Sequence, residues 1–243
     1  MKIVVFDIWG DLGHFRVPYT TSSPLTFPIP PKTAIYGMIG AILGYDKDNC
    51  LENFQNKRWE IAIGIKNKIV TTRIPENFIN TKEVKLFARM PKGKSCRTQI
   101  NMEFLKEPYF RIYVASREEI ELKRLENYLI EHRSKYTVSL GISECLANFK
   151  YIGTFSAEKV SNNNFVEISS IIPLNYLEND SNRIDFLQEG AKYLRIHIPV
   201  EMKPDRELIE SEDFIVEVTG KTVKVKLNNY LTIQELNENI ILF

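Results

Sequence analysis

The 243-residue chain is 44% hydrophobic and 26% charged, which is enough to bury a core in one elaborated domain or in a domain with an appendage. No stretch approaches the roughly 18 apolar residues of a membrane span, and MKIVVFDIWGD turns acidic too early for a signal peptide. We therefore expect a cytoplasmic protein without a membrane partner. The scattered Cys50, Cys96 and Cys145 argue against a disulfide framework or a zinc site.

The net charge of +1 hides an asymmetry along the chain. Residues 66–106 hold ten basic and three acidic side chains, or +7, whereas residues 161–243 hold eight basic and fourteen acidic side chains, or −6. The basic segment is therefore the part of the chain that suits a polyanion. From charge alone, a solvated hairpin with excess lysine explains the same segment equally well.

Residues 2–44 predict one strand, one loop and one helix. Lys2–Ile8 is rich in β-branched and aromatic residues and predicts a buried strand. Four prolines and a Thr/Ser cluster then predict an extended loop that begins at His14. Pro31 suits the first turn of a helix, whose apolar residues recur at helical spacing as far as Gly44.

The middle of the chain completes a familiar order of elements. Trp59–Ile65 and Tyr109–Ala115 alternate as strands, and the basic segment between them predicts a long β-hairpin. Ser116 and Glu119 have the spacing of a capping box before an amphipathic helix, and Phe149–Phe155 predicts a further strand. The order β, α, β, insertion, β, α, β predicts an α+β fold of the ferredoxin-like βαββαβ type, which RRM-type RNA binders also use.

Residues 157–243 predict strands alone, and we interpret them as a small β-rich C-terminal domain after a first domain that covers 1–156. Phe214–Val218 and Val223–Leu227 are expected to form a tight hairpin around Thr219-Gly220-Lys221. The acidic segment Pro204–Asp213 is expected to lie on the surface between strands.

Most enzyme classes lack support in this sequence. There is no Walker A loop, no GxGxxG after a strand, no HExxH and no GxSxG, and no two histidines have metal-ligand spacing. We therefore assign no catalytic residue, metal or cofactor. A metal-free ribonuclease, which needs only a base, an acid and a cation near the phosphate, stays open, and the residues that could supply these groups are His14, Tyr19, Lys32 and Tyr45.

The loop after the first strand has the composition of an RNA-binding segment. RNA recognition uses cations for phosphates, aromatic faces for stacking and hydroxyl groups for base edges, on an irregular backbone. The loop offers His14, Arg16, Tyr19, Thr20, Thr21, Ser22 and Lys32. The helix N-terminus at its end would favour an anion. A structural proline-rich connection is the alternative interpretation.

Three long segments, in order, resemble one known family. GDLGHFRVPYTTSSPLTFPIPPKTAIYGMIGAILG is similar to the N-terminal signature of the fifth family of CRISPR-associated (Cas) proteins, which belongs to the RAMP superfamily. RTQINMEFLKEPYFRIYV and YTVSLGISECLANFKYIG resemble the same family, so the resemblance spans roughly residues 1–156. The C-terminal part resembles the family only in being short and β-rich.

The resemblance implies a subunit of a type I Cascade complex, closest to subtype I-B, that caps the five-prime handle of the crRNA. It implies as partners the Cascade backbone subunits and the large subunit, with target DNA engaged indirectly through the complex. It also implies a projecting thumb hairpin, which by position is 73–99. The further candidate RNA contacts are Tyr36, Arg73, Arg89, Lys92, Lys94, Arg97, Gln99 and Ser143.

Relatives in subtype I-C also cut precursor RNA, with a tyrosine and an adjacent lysine and histidine. This chain has no Lys-His pair, although Tyr45 matches the tyrosine by position. We therefore expect binding without cleavage. Two alternatives stay open, namely a metal-independent crRNA-processing endoribonuclease and a scaffold that uses the hairpin only to bind proteins.

Overall fold

The computed structural model describes residues 1–20, 22–46, 50–54, 58–79, 97–162, 164–177 and 183–243. Within these ranges the fold is mixed and rich in strands, as expected. The helices are α1 (Lys32–Leu43) and α2 (Glu119–Ile130). The strands are β1 (Lys2–Trp9), β2 (Leu12–Gly13), β3 (Trp59–Ile65), β4 (Thr71–Ile79), β5 (Arg97–Lys106), β6 (Tyr109–Ser116), β7 (Asn148–Ser156), β8 (Glu158–Val160), β9 (Phe165–Ile168), β10 (Ile172–Pro173), β11 (Tyr193–Met202), β12 (Leu208–Glu217), β13 (Val223–Lys226), β14 (Tyr230–Ile233) and β15 (Glu238–Ile240).

The main sheet has the strand order β3-β6-β1-β7, and every neighbouring pair is antiparallel. Helix α1 connects β1 to β3, and α2 connects β6 to β7. Both helices pack on one face of the sheet, where Phe6 and Ile112 share a core with Ile39 of α1 and Leu125 of α2. The four strands and both helices lie where the sequence predicts them, to within about two residues.

The sequence predicts the ends of α1 correctly but not the N-terminal cap of α2. Helix α1 begins after Pro31 and ends at Gly44, whose φ of 84° is left-handed and suits glycine. The capping box predicted for α2 is wrong, because the residue at the N-cap is Glu118 and no side chain caps the helix. Ser116 is still in β6, and its Oγ accepts from the Glu118 N–H at 3.0 Å. Neither of these helices, nor any other in the described ranges, is long and apolar enough to cross a membrane.

The second face of the main sheet is covered by the C-terminal strands. Ile233 and Ile240, from β14 and β15, share a buried cluster with Ile3, Val5 and Tyr113 of the sheet. This arrangement removes from solvent the sheet face that lies opposite the helices.

The C-terminal region contains strands β8–β15, but one prediction for it is wrong and a second is correct only in part. Strand β12 pairs with β10 and β11, whereas β13 pairs with β9, so no tight hairpin joins β12 to β13. The turn between them is closed by the Glu217 carboxylate, which accepts from the N–H groups of Thr219 (3.0 Å) and Lys221 (2.7 Å). The acidic segment is exposed over 205–210, as expected, but it is not a break between strands along its whole length, because β12 already begins at Leu208.

The boundary after residue 156 stays a prediction. Val200 and Phe214, from the C-terminal strands, belong to the same buried cluster as Ile35 and Ile63 from the N-terminal part. Because the two parts share this core, the C-terminal strands contribute to the stability of the N-terminal sheet.

Candidate nucleic-acid interface

The loop after β2 folds back on itself instead of running as an irregular extended segment. The Val17 N–H donates to Leu25 O at 2.9 Å, and the Phe27 N–H donates to Phe15 O at 2.8 Å. The Thr26 hydroxyl accepts from the Phe15 N–H at 2.9 Å. These hydrogen bonds hold the two arms of the loop against each other.

The turn between the two arms presents a cation, an aromatic ring and a hydroxyl group to solvent. Arg16 and Ser22 are exposed, and Tyr19 is 79% exposed, an unusual position for a large ring. Thr20 instead closes the turn, because its hydroxyl donates to Val17 O at 2.7 Å and accepts from the Leu25 N–H at 3.2 Å. Thr21 lies outside the described residues.

One residue of β5, Glu103, anchors this loop to the hairpin. Its N–H donates to Pro24 O at 3.0 Å, and its carbonyl oxygen lies 2.7 Å from His14 Nδ1. Its carboxylate accepts from the Thr26 N–H at 3.3 Å and lies 3.9 Å from the Arg73 guanidinium. Backbone and side chain of Glu103 therefore hold both arms of the loop. Glu103 is not among the residues predicted for the site, and its one signal in the sequence is that it is an acid within a basic segment.

Strands β4 and β5 form an antiparallel hairpin, in which Arg73 lies opposite Glu103 and Asn77 lies opposite Gln99. Side chains alternate between the faces of a strand, so Arg73, Arg97 and Gln99 share one face. The opposite face carries Ile74, Met102 and Phe104 into or against the main core. Arg89, Lys92 and Lys94 lie outside the described residues.

Glu103 thus joins two groups of predicted residues, those of the loop and those of the hairpin, and we call the two groups together the loop–hairpin surface. Its members are Arg16, Tyr19, Ser22, Arg73, Arg97 and Gln99. All six side chains are exposed, and the hydrogen bonds of Glu103 fix the loop against the hairpin. The surface combines three cations and one aromatic ring with hydroxyl and amide groups, which is the chemistry that RNA recognition uses.

Two other predicted contacts, His14 and Tyr36, are buried. His14 is 1% exposed and packs against Phe104, with ring centres 5.5 Å apart. The Tyr36 hydroxyl donates to Trp59 O at 2.9 Å, and its ring is stacked on Phe54 at 4.5 Å. Direct contact of either side chain with RNA would require this packing to open.

Lys32 lies in an acidic environment. Its ammonium group is 5.8 Å from the ring centre of Tyr36 and 5.5 Å from that of Phe243. It lines a cavity of about 230 Å³ together with Glu60, Glu201, Glu210 and Glu212. These carboxylates line the same cavity as Lys32 and Thr33 in the first turn of α1 and would repel an RNA phosphate there, so an anion at this helix N-terminus stays a prediction.

Ser143 lies in a turn beside the loop. The turn is closed by the Leu140 N–H, which donates to Cys145 O at 2.8 Å, and it meets the loop where the His14 N–H donates to Leu140 O at 2.9 Å. Ser143 is exposed, and its hydroxyl donates to Glu144 Oε2 at 3.1 Å. It is therefore a neighbour of the loop–hairpin surface and not part of it.

The four residues named for a ribonuclease are not brought together. Lys32 begins α1 and Tyr45 follows its end, so they are roughly 20 Å apart along the helix axis. The Tyr45 hydroxyl donates to Glu121 Oε2 at 2.5 Å. Burial, and then this hydrogen bond, raise the pKa of the Tyr45 hydroxyl well above its usual range. Within the described ranges no group of three His, Cys, Asp or Glu side chains could hold a metal ion.

The fold resembles solved structures of CRISPR proteins. A CRISPR protein from Archaeoglobus fulgidus is 14% identical and aligns over 98% of both chains, with a TM-score of 0.55. A chain of a CRISPR RNA-guided surveillance complex is 11% identical over 91% of both chains, with a TM-score of 0.51. A chain of the type III-B Cmr-beta complex bound to cognate target RNA and AMPPnP is 12% identical, over 92% of this chain and 86% of that one, with a TM-score of 0.50. At these identities the likeness is one of fold.

The fold is thus similar to that of CRISPR-associated proteins. The family model for CRISPR-associated protein (Cas_Cas5) matches residues 3–173. Because the match covers more than half of the chain, the protein belongs to this family, and the family predicted from the sequence is confirmed. No curated protein sequence matches the chain significantly.

Proposed function

We propose that the chain is a crRNA-binding subunit of a type I CRISPR Cascade complex, in which it holds the five-prime handle of the crRNA for antiviral defence. Membership of the Cas_Cas5 family supports a role in such a complex. The fold likeness to a chain of an RNA-guided surveillance complex and to a chain of an RNA-bound Cmr complex supports the same role. Subtype I-B is part of this proposal.

The loop–hairpin surface is the observation that carries the proposal. It combines exposed cations, an exposed tyrosine and short polar side chains on a backbone that is held in place. RRM-type proteins bind RNA on the open face of their sheet, but here C-terminal strands cover the corresponding face. RNA would therefore bind beside the sheet, on the loop and the hairpin.

The architecture supports a thumb on a ferredoxin-like core. Read from the other edge, the sheet order is β7-β1-β6-β3, with one helix after β1 and one after β6, which is the arrangement of a split βαβ fold. The hairpin β4–β5 is inserted between β3 and β6, and residues 80–96 lie beyond its described part. We assign the thumb to this insertion. Its expected neighbours are the backbone subunits and the large subunit, with target DNA engaged through the complex.

Binding without cleavage is part of the proposal. The residues that could supply acid–base chemistry are separated, His14 is buried, and Tyr45 directs its proton to a carboxylate. A general base must reach the hydroxyl proton that it removes, and neither residue is arranged for that.

Ultraviolet crosslinking of the intact complex, with its own crRNA labelled at the five-prime end, tests this function. The peptide that contains Tyr19 is expected to crosslink to nucleotides of the handle, because an exposed ring at a loop tip can stack on a base. Crosslinks spread evenly along the guide, or restricted to other subunits, would contradict handle binding.

A shortened hairpin tests the assignment of the thumb. Replacing 76–100 with a short Gly/Ser turn joins Pro75 to its register partner Asn101 and leaves Met102 and Phe104 in the core. We expect the variant to fold and to keep part of its handle binding, while assembly with the adjacent backbone subunit or binding of target DNA fails. Normal assembly together with normal target binding would show that the insertion is only a solvated face.

A further inference from the structure

The buried His14 has an arrangement that the proposed RNA contacts do not use. Its Nδ1 lies 2.7 Å from Glu103 O. Because a carbonyl oxygen can only accept, Nδ1 must carry a proton and donate it to Glu103 O. Nε2 is buried and has no hydrogen-bond partner among the residues that the structure describes.

Three segments meet at this histidine. The His14 N–H donates to Leu140 O in the turn that contains Ser143, and its ring packs against Phe104 of β5. Its Nδ1–H bonds the carbonyl of Glu103, whose other polar groups hold Pro24 and Thr26 on the far arm of the loop. Both ends of the loop are therefore tied to the same residue of the hairpin.

We propose that His14 is a positioning residue for RNA binding, which acts through its Nδ1–H to hold Glu103 and the loop in one register. Arg16 follows His14 by two residues, and Arg73 lies opposite Glu103 in the hairpin. The His14–Glu103 hydrogen bond thus sets the distance between a loop cation and a hairpin cation, so that both can face one RNA strand. This inference rests on the proposed function and adds a residue that does not touch RNA.

Two His14 variants with side chains of equal shape distinguish the loss of the hydrogen bond to Glu103 from the loss of the ring contact with Phe104. In His14→Asn the side-chain amide can place an N–H donor near the position of Nδ1, whereas His14→Leu has the same branched shape and no donor. Both variants lose the same ring contact with Phe104. Affinity is measured by fluorescence anisotropy on the full-length protein, with a labelled transcript of the crRNA that co-purifies with the complex.

We expect His14→Leu to bind RNA about tenfold more weakly than His14→Asn, since the loss leaves the Glu103 carbonyl without its partner. His14→Asn should stay within about threefold of the wild type. Amide hydrogen exchange should rise over residues 14–27 in His14→Leu and stay unchanged in β1 and β6, which a general loss of stability would not produce.

Equal affinities for the two variants would overturn the positioning role, whether both are weakened or both are normal. The variant that combines Arg16→Ala and Tyr19→Ala separates this failure from that of the proposed function. If that variant loses affinity while the His14 pair binds equally, only the positioning role is wrong. If none of these changes affects RNA binding, the RNA does not use the loop and both proposals are wrong.

Discussion

Two regions of the molecule contain clusters of charged side chains. In one region these side chains are largely buried and form ion pairs, and in the other they are exposed to solvent. On the second face of the main sheet, Asp7 is 3% exposed and forms a two-point ion pair with Arg111, at 2.7 and 3.1 Å. Arg111 also donates to Glu238 at 3.1 Å, and Lys66 reaches the same carboxylate at 2.7 Å. On the loop–hairpin surface, Arg16 and Tyr19 instead project into solvent.

The difference separates charge that serves the fold from charge that can serve a partner. Every charged group in the sheet-face network has an opposite charge nearby. Glu238 of β15 completes the network by pairing with both Lys66 and Arg111. A phosphate would have to displace these carboxylates, which disfavours nucleic acid there. The exposed Arg16 of the loop–hairpin surface loses little by exchanging water for phosphate, and the exposed Arg73 lies 3.9 Å from one carboxylate, that of Glu103. The comparison therefore predicts that one region governs stability and the other RNA affinity.

The largest expected effect is on the sheet face. Arg111→Met removes the ion-pair partner of the buried Asp7 carboxylate and leaves it the hydrogen bond from the Tyr109 hydroxyl at 3.1 Å, so we expect unfolding to become easier by about 3–5 kcal/mol. That loss corresponds to a fall in Tm on the order of 10 °C. Differential scanning calorimetry measures it, and RNA affinity, tested well below the new Tm, should stay within about twofold of the wild type.

The matched control removes both charges. Asp7→Leu combined with Arg111→Met no longer leaves a buried carboxylate unpaired and should be more stable than Arg111→Met alone. A double variant that is less stable than the single one would show that the network stabilises the fold by something other than the ion pair.

The next effect is on the loop. Arg16→Ala combined with Tyr19→Ala should weaken RNA binding roughly tenfold to a hundredfold, because it removes one phosphate contact and one stacking platform. Both side chains are exposed, so Tm should change by less than about 1 °C. Lys32→Ala is the matched control, since Lys32 lies among glutamates and should leave RNA affinity nearly unchanged. A loss of affinity in Lys32→Ala as large as that of the loop variant would contradict the comparison.

A smaller effect separates RNA contact from protein contact at the hairpin. Arg73→Gln keeps a polar side chain but removes one cation, so the slope of log affinity against log salt should decrease by about 0.7 to 1. Affinity titrations between low and physiological salt measure this slope. An unchanged slope would favour the scaffold alternative, in which the hairpin contacts only proteins.

The elements of the main sheet could be predicted because their signals are local. Alternation marks β3 and β6, Pro31 and Gly44 delimit α1, and these signals survive in the structure. Strand pairing in the C-terminal region could not be predicted in the same way. The turn at Gly220 has the sequence of a hairpin, but β13 pairs with β9, which precedes it by more than fifty residues. Long-range burial outweighed the local turn signal.

The candidate site shows the same limit. Composition was enough to select Arg16 and Tyr19 as solvent-facing groups in the loop. It could not show that His14 is buried, because the covering residues come from β5 and from the turn around Gly141. Nor could it show the surroundings of Lys32, whose neighbouring glutamates, apart from Glu60, follow it by about 170 residues or more. Burial and electrostatic environment are tertiary properties, and a pattern read along the chain does not contain them.

The smallest expected effect concerns Tyr45. We expect this residue to contribute to the stability of the fold and not to RNA binding. Its hydroxyl donates to Glu121, and the Arg124 guanidinium lies 5.9 Å from its ring centre. Because burial and the hydrogen bond raise its pKa, the hydroxyl stays protonated at neutral pH and cannot act as a base. Tyr45→Phe should therefore cost about 1 kcal/mol of stability, measured from the denaturant midpoint.

The same variant decides between binding and cleavage. Wild type and Tyr45→Phe are each incubated with a labelled repeat RNA, with and without divalent metal. Both should leave the RNA intact, since the residues able to supply a base, an acid and a cation lie in separate parts of the fold. Discrete cleavage by the wild type that disappears in Tyr45→Phe would move Tyr45 from the stabilising region to the functional one. In that case the endoribonuclease alternative would replace binding without cleavage, because loss of one hydrogen bond with Glu121 cannot by itself abolish a chemical step.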